Sequence, residues 1–198
     1  MVEKIFYHIH KISTNGDNSI WHEGSIIEIG NELNDFYKQS VQFEPKFPEY
    51  MGYKNIPWVN VCKYVLQNFV PGSKEYREVL YFGENVVTEY GILLREIAYE
   101  EVRSKYFNNL PSRTKCIYLC KKEQLDFWES QFFSEYKVFK VKIFGDVFKS
   151  NNNLIAFPSD SYEKILEKAK KYWNYNSLVD EETDEYLYVG KLEILEEL

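Results

Sequence analysis

Apolar positions between Glu89 and Phe107 fall at Leu93, Leu94, Ile97, Ala98 and Val102, near the i, i+3, i+4 recurrence of a helix, with Arg95, Glu96, Glu100 and Arg103 between them. The apolar stripe is expected to cover a sheet and the charges to face water. Pro111 ends this helical region, and Lys115 to Cys120 then reads as a buried strand with Ser112 and Arg113 at its mouth. Lys4 to Ile12 alternates as a first strand and is followed by the turn residues Asn15-Gly16-Asp17-Asn18. Trp21 to Gly30 reads as a short extended element, Asn31 to Gln39 as a short helix, and Trp58 to Phe69 as a helix stopped by Pro71-Gly72. Ser73 to Tyr81 carries no clear period.

Further along, a helix is expected around Glu123 to Phe132 and a long strand from Tyr136 to Phe148. An Asp160-x-x-Glu163 capping pattern opens a helix reaching Trp173, and Glu185 to Ile194 alternates into a final strand after the polar stretch Asn174 to Asp184. Helices and strands alternate irregularly, which predicts an α+β domain over residues 1–198 rather than a doubly wound parallel sheet. Residues 42–57, rich in Pro, Gly, Tyr and Phe without period, read as an irregular insertion or lid.

With 198 residues, 44% of them hydrophobic and 18% aromatic, the chain can bury a sizeable core and does not resemble a disordered segment. Its 17 tyrosines and 14 phenylalanines suit amphipathic core and boundary positions, or the lining of a stacking cleft. A net charge of −7 argues against gripping duplex nucleic acid over the whole surface, since that needs many Lys and Arg contacts. No charged-then-apolar leader opens the chain and no apolar run approaches a membrane span, so the expectation is a cytoplasmic protein without membrane partners. Cys62, Cys116 and Cys120 show no zinc spacing, and Cys116 and Cys120 read as buried thiols sharing one strand face.

No phosphate-cradling glycine motif and no nucleophile elbow occurs. His8, His10 and His22 invite a metal reading, but nothing completes a ligand set, so no metal is expected. Three strand-borne polar groups remain: Tyr7-His8, Ser112-Arg113 and Glu185, the last favoured among Glu181, Glu182, Asp184 and Glu185 because it abuts a strand. Each has a structural alternative. His8 suits a satisfied core histidine, Ser112 a turn cap, Arg113 a partner for Glu96 or Glu100, and the acid run a solvated loop.

Taken together, Tyr7-His8, the helix with Glu100 and Arg103, Pro111-Ser112-Arg113 with Cys116-Ile117-Tyr118-Leu119, and Glu185-Tyr186-Leu187 resemble an uncharacterised bacterial family. That family looks like a divergent branch of the ADP-ribosyltransferase superfamily. The resemblance implies split mixed or antiparallel sheets with flanking helices, gripping NAD as substrate in the cleft between them. By position it implies that His8 bonds a ribose or the nicotinamide amide, that Ser112 and Arg113 hold the dinucleotide with Arg113 on the diphosphate, and that Tyr118 stacks on nicotinamide. Glu185 becomes the catalytic acid that stabilises the oxocarbenium-like sugar as nicotinamide leaves. The chain departs from the superfamily pattern in carrying Pro-Ser-Arg where a tyrosine pair or Ser-Thr-Ser is usual. The expectation is an NAD-dependent ADP-ribosyltransferase-like protein, a toxin or phage-defence factor, whose acceptor is a protein, a nucleic acid or a small molecule. The alternative is a non-catalytic module that binds a nucleotide, a nucleic acid or a partner.

Overall fold

A computed structural model of the chain describes residues 3–12, 21–46, 52 and 56–198. The turn expected at Asn15 to Asn18 and half of the 42–57 insertion lie outside the described residues; residues 43–46 carry no regular secondary structure. Seven strands are present among the described residues: β1 (Glu3–Lys11), β2 (Ile26–Ile29), β3 (Ile117–Leu119), β4 (Tyr136–Phe144), β5 (Phe148–Asn151), β6 (Asp184–Tyr188) and β7 (Gly190–Glu197). They form two sheets, one of four strands in the order β1-β4-β7-β2 and one of three in the order β3-β6-β5. Every strand pair in them is antiparallel. The helices are α1 (Asp35–Gln42), α2 (Trp58–Asn68), α3 (Lys74–Tyr106), α4 (Leu125–Glu129) and α5 (Tyr162–Trp173). The fold is therefore α+β, with two antiparallel sheets and flanking helices. None of the described helices is long and apolar enough to cross a membrane.

Strand alternation makes two cores. Phe6, Phe139, Val141, Ile143, Leu192 and Ile194 of the larger sheet meet Ile117, Leu119, Tyr186 and Tyr188 of the smaller one. The opposite face of the smaller sheet, through Leu187, Tyr118 and Phe148, packs under Ala98, Tyr99 and Val102 of α3 and Ile165, Ala169, Tyr172 and Trp173 of α5. Each such large apolar side chain stabilises the fold by about 1.5–3 kcal/mol on leaving water. The sheets join at one isolated bridge, where Tyr7 and Cys120 exchange backbone hydrogen bonds of 2.9 Å in both directions.

Helix α3 differs most from the reading of its sequence. It is continuous from Lys74, capped by Ser73, whose Oγ accepts from the Tyr76 amide at 3.2 Å, so the stretch without clear period is helical. Its buried residues are Val79, Val86, Gly91, Glu96, Ala98, Tyr99 and Val102, while Leu94 and Ile97 stay 43% and 46% exposed. Glu96, expected at the surface, is buried. Two rows of apolar residues run along this helix, and period alone does not choose between them. The choice follows from Gly91, where a side chain would collide with Pro158, and from the ion pair that Glu96 makes inside.

Smaller corrections follow from chain crossings. The strand expected at Tyr136 to Phe148 breaks at Gly145, and β5 continues in the other sheet; likewise β6 and β7 divide at Val189, each joining a different sheet. Helix α5 is capped by Ser161, not by the Asp160 and Glu163 pair; Asp160 instead accepts from the Phe157 amide at 3.0 Å. The helix expected at Glu123 to Phe132 is one 3-10 turn followed by the short α4. Cys116 and Cys120 are buried, but in separate clusters rather than on one shared face.

Candidate functional site

The turn from Ser112 to Cys116 leads α3 into β3 and is fixed from outside. The Asn34 amide nitrogen donates to the Arg113 carbonyl at 2.6 Å and to the Cys116 carbonyl at 3.0 Å. Ser112 Oγ lies 2.9 Å from Thr114 Oγ1 and accepts from the Thr114 amide at 3.3 Å, while its carbonyl accepts from the Cys116 amide at 2.9 Å. Ser112 thus holds the turn, on the wall of a shallow depression that Asn109, Lys115 and Asp146 also line.

That turn sends the Arg113 side chain into the compartment between the smaller sheet and the helices. Arg113 Nε donates to Glu96 Oε2 at 2.9 Å, and Nη1 donates to the Tyr172 hydroxyl at 2.6 Å and to Glu185 Oε1 at 2.7 Å. The Tyr172 hydroxyl in turn donates to Glu185 Oε1 at 2.5 Å. The guanidinium carbon stands 4.9, 5.2 and 5.6 Å from the ring centres of Tyr172, Tyr118 and Tyr99, within cation–π range of all three. Arg95 adds a second positive charge, 3.0 Å from Glu96 Oε1, so two arginines and two carboxylates balance. Arg113 and Glu185 are only 4% and 5% exposed.

The charges follow from this packing. Burial drives the Glu96 carboxyl up, but Arg113 and Arg95 outweigh it and hold the group below its ordinary value. Burial likewise opposes the charge on Arg113, and Glu96, Tyr118, Tyr172 and Glu185 together raise it well above the usual range. Tyr118 and Tyr172 are pushed well above ordinary phenols, chiefly by burial, so both stay protonated donors.

On the other side of β3, facing the larger sheet, sits His8. Its Nδ1 lies 2.9 Å from the Tyr118 carbonyl, which can only accept, so Nδ1 carries the proton and Nε2 presents a lone pair. Burial, reinforced by nearby His10, lowers its pKa to about 4 against the opposing carbonyl bond, leaving the ring neutral at pH 7. The Trp21 ring stacks on both histidines, 4.9 Å from His8 and 4.4 Å from His10, and reaches Phe139 at 5.4 Å. His8 and His10 lie one and three residues along β1 from the Tyr7 bridge that joins the sheets. Among the described residues no group of three or more His, Cys, Asp and Glu is placed to hold a metal ion.

The structure joins Arg113 and Glu185 directly and brings Tyr118 against them, whereas His8 meets them only through the Tyr118 backbone and Ser112 stands apart. Of the two pairings open to Arg113, Glu96 takes it, and Glu100 pairs with Arg103 at 2.7 Å. Sequence reasoning named Glu96 as one of two partners open to Arg113 and did not reach Tyr99, Tyr172 or Trp21. The spacing of Glu96 and Tyr99 on one helix face was the available signal. Asp184, read as part of a solvated acid run, is fully buried and accepts from Asn151 at 2.8 Å and Tyr175 at 3.0 Å. The model of a family described as proteins of unknown function, DUF2441, matches residues 6–198, and the chain belongs to that family. No curated protein matches the chain.

Proposed function

We propose that this member of the DUF2441 family is an ADP-ribosyltransferase-like protein that takes NAD across β3, the edge strand between His8 and the compartment that holds Arg113 and Glu185. The observation that carries the reading is His8: a neutral imidazole on the first strand, next to the Tyr7 bridge that joins the sheets, with Nδ1 committed to the Tyr118 carbonyl and Nε2 left as an acceptor. Such an acceptor suits the nicotinamide amide or a ribose hydroxyl, and the half-buried Trp21 and His10 offer faces on which a planar base stacks. Glu185 is assigned the carboxylate that stabilises developing positive charge on the ribose, with Arg113 and Tyr172 fixing its position. To reach a diphosphate, Arg113 must release Glu185 or Tyr172. The acceptor of the ADP-ribosyl group is a protein, a nucleic acid or a small molecule.

A second reading has its own observation. Arg113 and Glu185 direct their hydrogen bonds at each other in a compartment nearly closed to water, as in a module that binds a nucleotide or partner without turnover. Calorimetry with NAD and transfer of label from NAD in cell lysate separate the two. The enzymatic reading expects binding, about tenfold weaker in His8→Ala, and label transfer that falls at least about a hundredfold in Glu185→Gln while binding persists. Binding without transfer in the parent protein favours the module, and absence of NAD binding sinks the proposal.

A further inference from the structure

Arg113 is held at its two ends in different ways. One edge of the guanidinium belongs to Glu96: Nε donates to Oε2 at 2.9 Å and Nη2 reaches Oε1 at 3.4 Å. At the other end Nη1 alone serves both Glu185 and Tyr172, at 2.7 and 2.6 Å. Two donors thus grip one carboxylate, and a single shared donor touches the other. The contact with Glu185 is the one that can be exchanged without releasing the guanidinium.

Glu96 is itself fixed in place. Arg95 directs Nε at 3.1 Å and Nη2 at 3.0 Å to Glu96 Oε1, and its Nη1 donates to the Ala156 carbonyl at 3.3 Å, so Oε2 is left to Arg113. Neutralising Arg113 needs one carboxylate, and Glu185 already supplies it. Each further charge taken from water adds a desolvation cost that an apolar side chain would not carry. The chain nevertheless buries Glu96 in α3 and sets Arg95 against it. A second carboxylate is accounted for if Arg113 must stay neutralised while Glu185 turns to other work.

We propose that Glu96 is a positioning residue, which anchors Arg113 by its Nε edge while Nη1 passes from Glu185 to an anionic group of the ligand. The same exchange frees Glu185. With NAD as the ligand that group is the diphosphate, and the role given to Glu96 rests on the dinucleotide reading of Arg113 and Glu185. Without the charge of Glu96, Glu185 must neutralise Arg113 by itself, which opposes the exchange.

Calorimetry with NAD on the full chain separates charge from shape at this position. Glu96→Gln keeps the shape and loses the charge; Glu96→Asp keeps the charge one methylene further back, where most of the Coulomb attraction persists. NAD is expected to bind about tenfold more weakly to Glu96→Gln and within about threefold of the parent to Glu96→Asp, the reverse of what packing alone requires. Transfer of label from NAD should follow the same order. Arg95→Met combined with Glu96→Met removes one charge of each sign and keeps the compartment balanced, so it serves should Glu96→Gln fail to fold, and the same loss is expected. Parent-like binding in Glu96→Gln or in the double variant, or a loss in Glu96→Asp as large as in Glu96→Gln, overturns the role of Glu96 while NAD binding by the parent stands. A parent that does not bind NAD removes the dinucleotide reading, and the role of Glu96 with it.

Discussion

Removing the guanidinium of Arg113 leaves Glu96 and Glu185 facing each other across a compartment from which water is excluded, with only Arg95 near one of them. Arg113→Met is therefore expected to lose about 3–5 kcal/mol in urea denaturation, the range for breaking a buried ion pair from one side. Arg113→Lys should recover little of it, because an ammonium cannot bridge two carboxylates and a phenol as the planar fork does. His8 sets the response to acid. Its folded pKa, about 4, lies below its ordinary value of 6.5, so between those limits the unfolded chain binds a proton that the folded chain refuses. Its contribution is complete above about 6.5, declines as pH falls towards 4 by up to about 3 kcal/mol, and is level below that. In His8→Gln, which keeps a donor for the Tyr118 carbonyl, stability should be flat across this window, measured as the urea midpoint at successive pH values. Glu96, held low, keeps its contribution above its ordinary 4.5 and loses it only as pH falls through its depressed folded value.

Two glycines on α3 make opposite demands. A Cβ at Gly91 would lie 2.5 Å from the Pro158 carbonyl oxygen and 2.7 Å from Pro158 Cβ, so Gly91→Ala is expected to cost about 1–3 kcal/mol despite the better helix former. Gly83→Ala meets no such obstacle among the described residues and should raise stability by up to about 1 kcal/mol. Thermal denaturation of both variants tests the contrast. The same helix shows what was legible in the sequence. Its existence, the β1 strand, the α5 helix and the α+β class were all readable, because each depends on local period and turn chemistry. The face that α3 buries was not, because it is decided by Pro158 and Arg113, residues 67 and 22 positions away from Gly91. His8, Arg113, Tyr118 and Glu185 could be nominated as polar residues in or beside strands. That His8 and the Arg113–Glu185 pair sit on opposite sides of β3, the strand that carries Tyr118, could not, since it depends on which face each pleat presents after the sheets have paired.

Between sheets, the chain turns in very little space. Gly190 takes a φ of +136° at the step from β6 to β7, and a Cβ there would sit 2.7 Å from the Tyr188 hydroxyl. Gly190→Ala should lose about 1–3 kcal/mol, seen as an earlier urea midpoint, because it combines a disfavoured backbone angle with displacement of a ring that bonds the Lys191 carbonyl at 2.7 Å. The crossings have a further consequence. From β3 to β6 the chain passes back and forth between the two layers, so a cut in any connection over that stretch leaves both layers lacking a member. Proteolytic nicking there is expected to yield pieces that stay associated or collapse together, not a stable half-molecule, and refolding must wait for β7, the last strand, before the larger layer is complete.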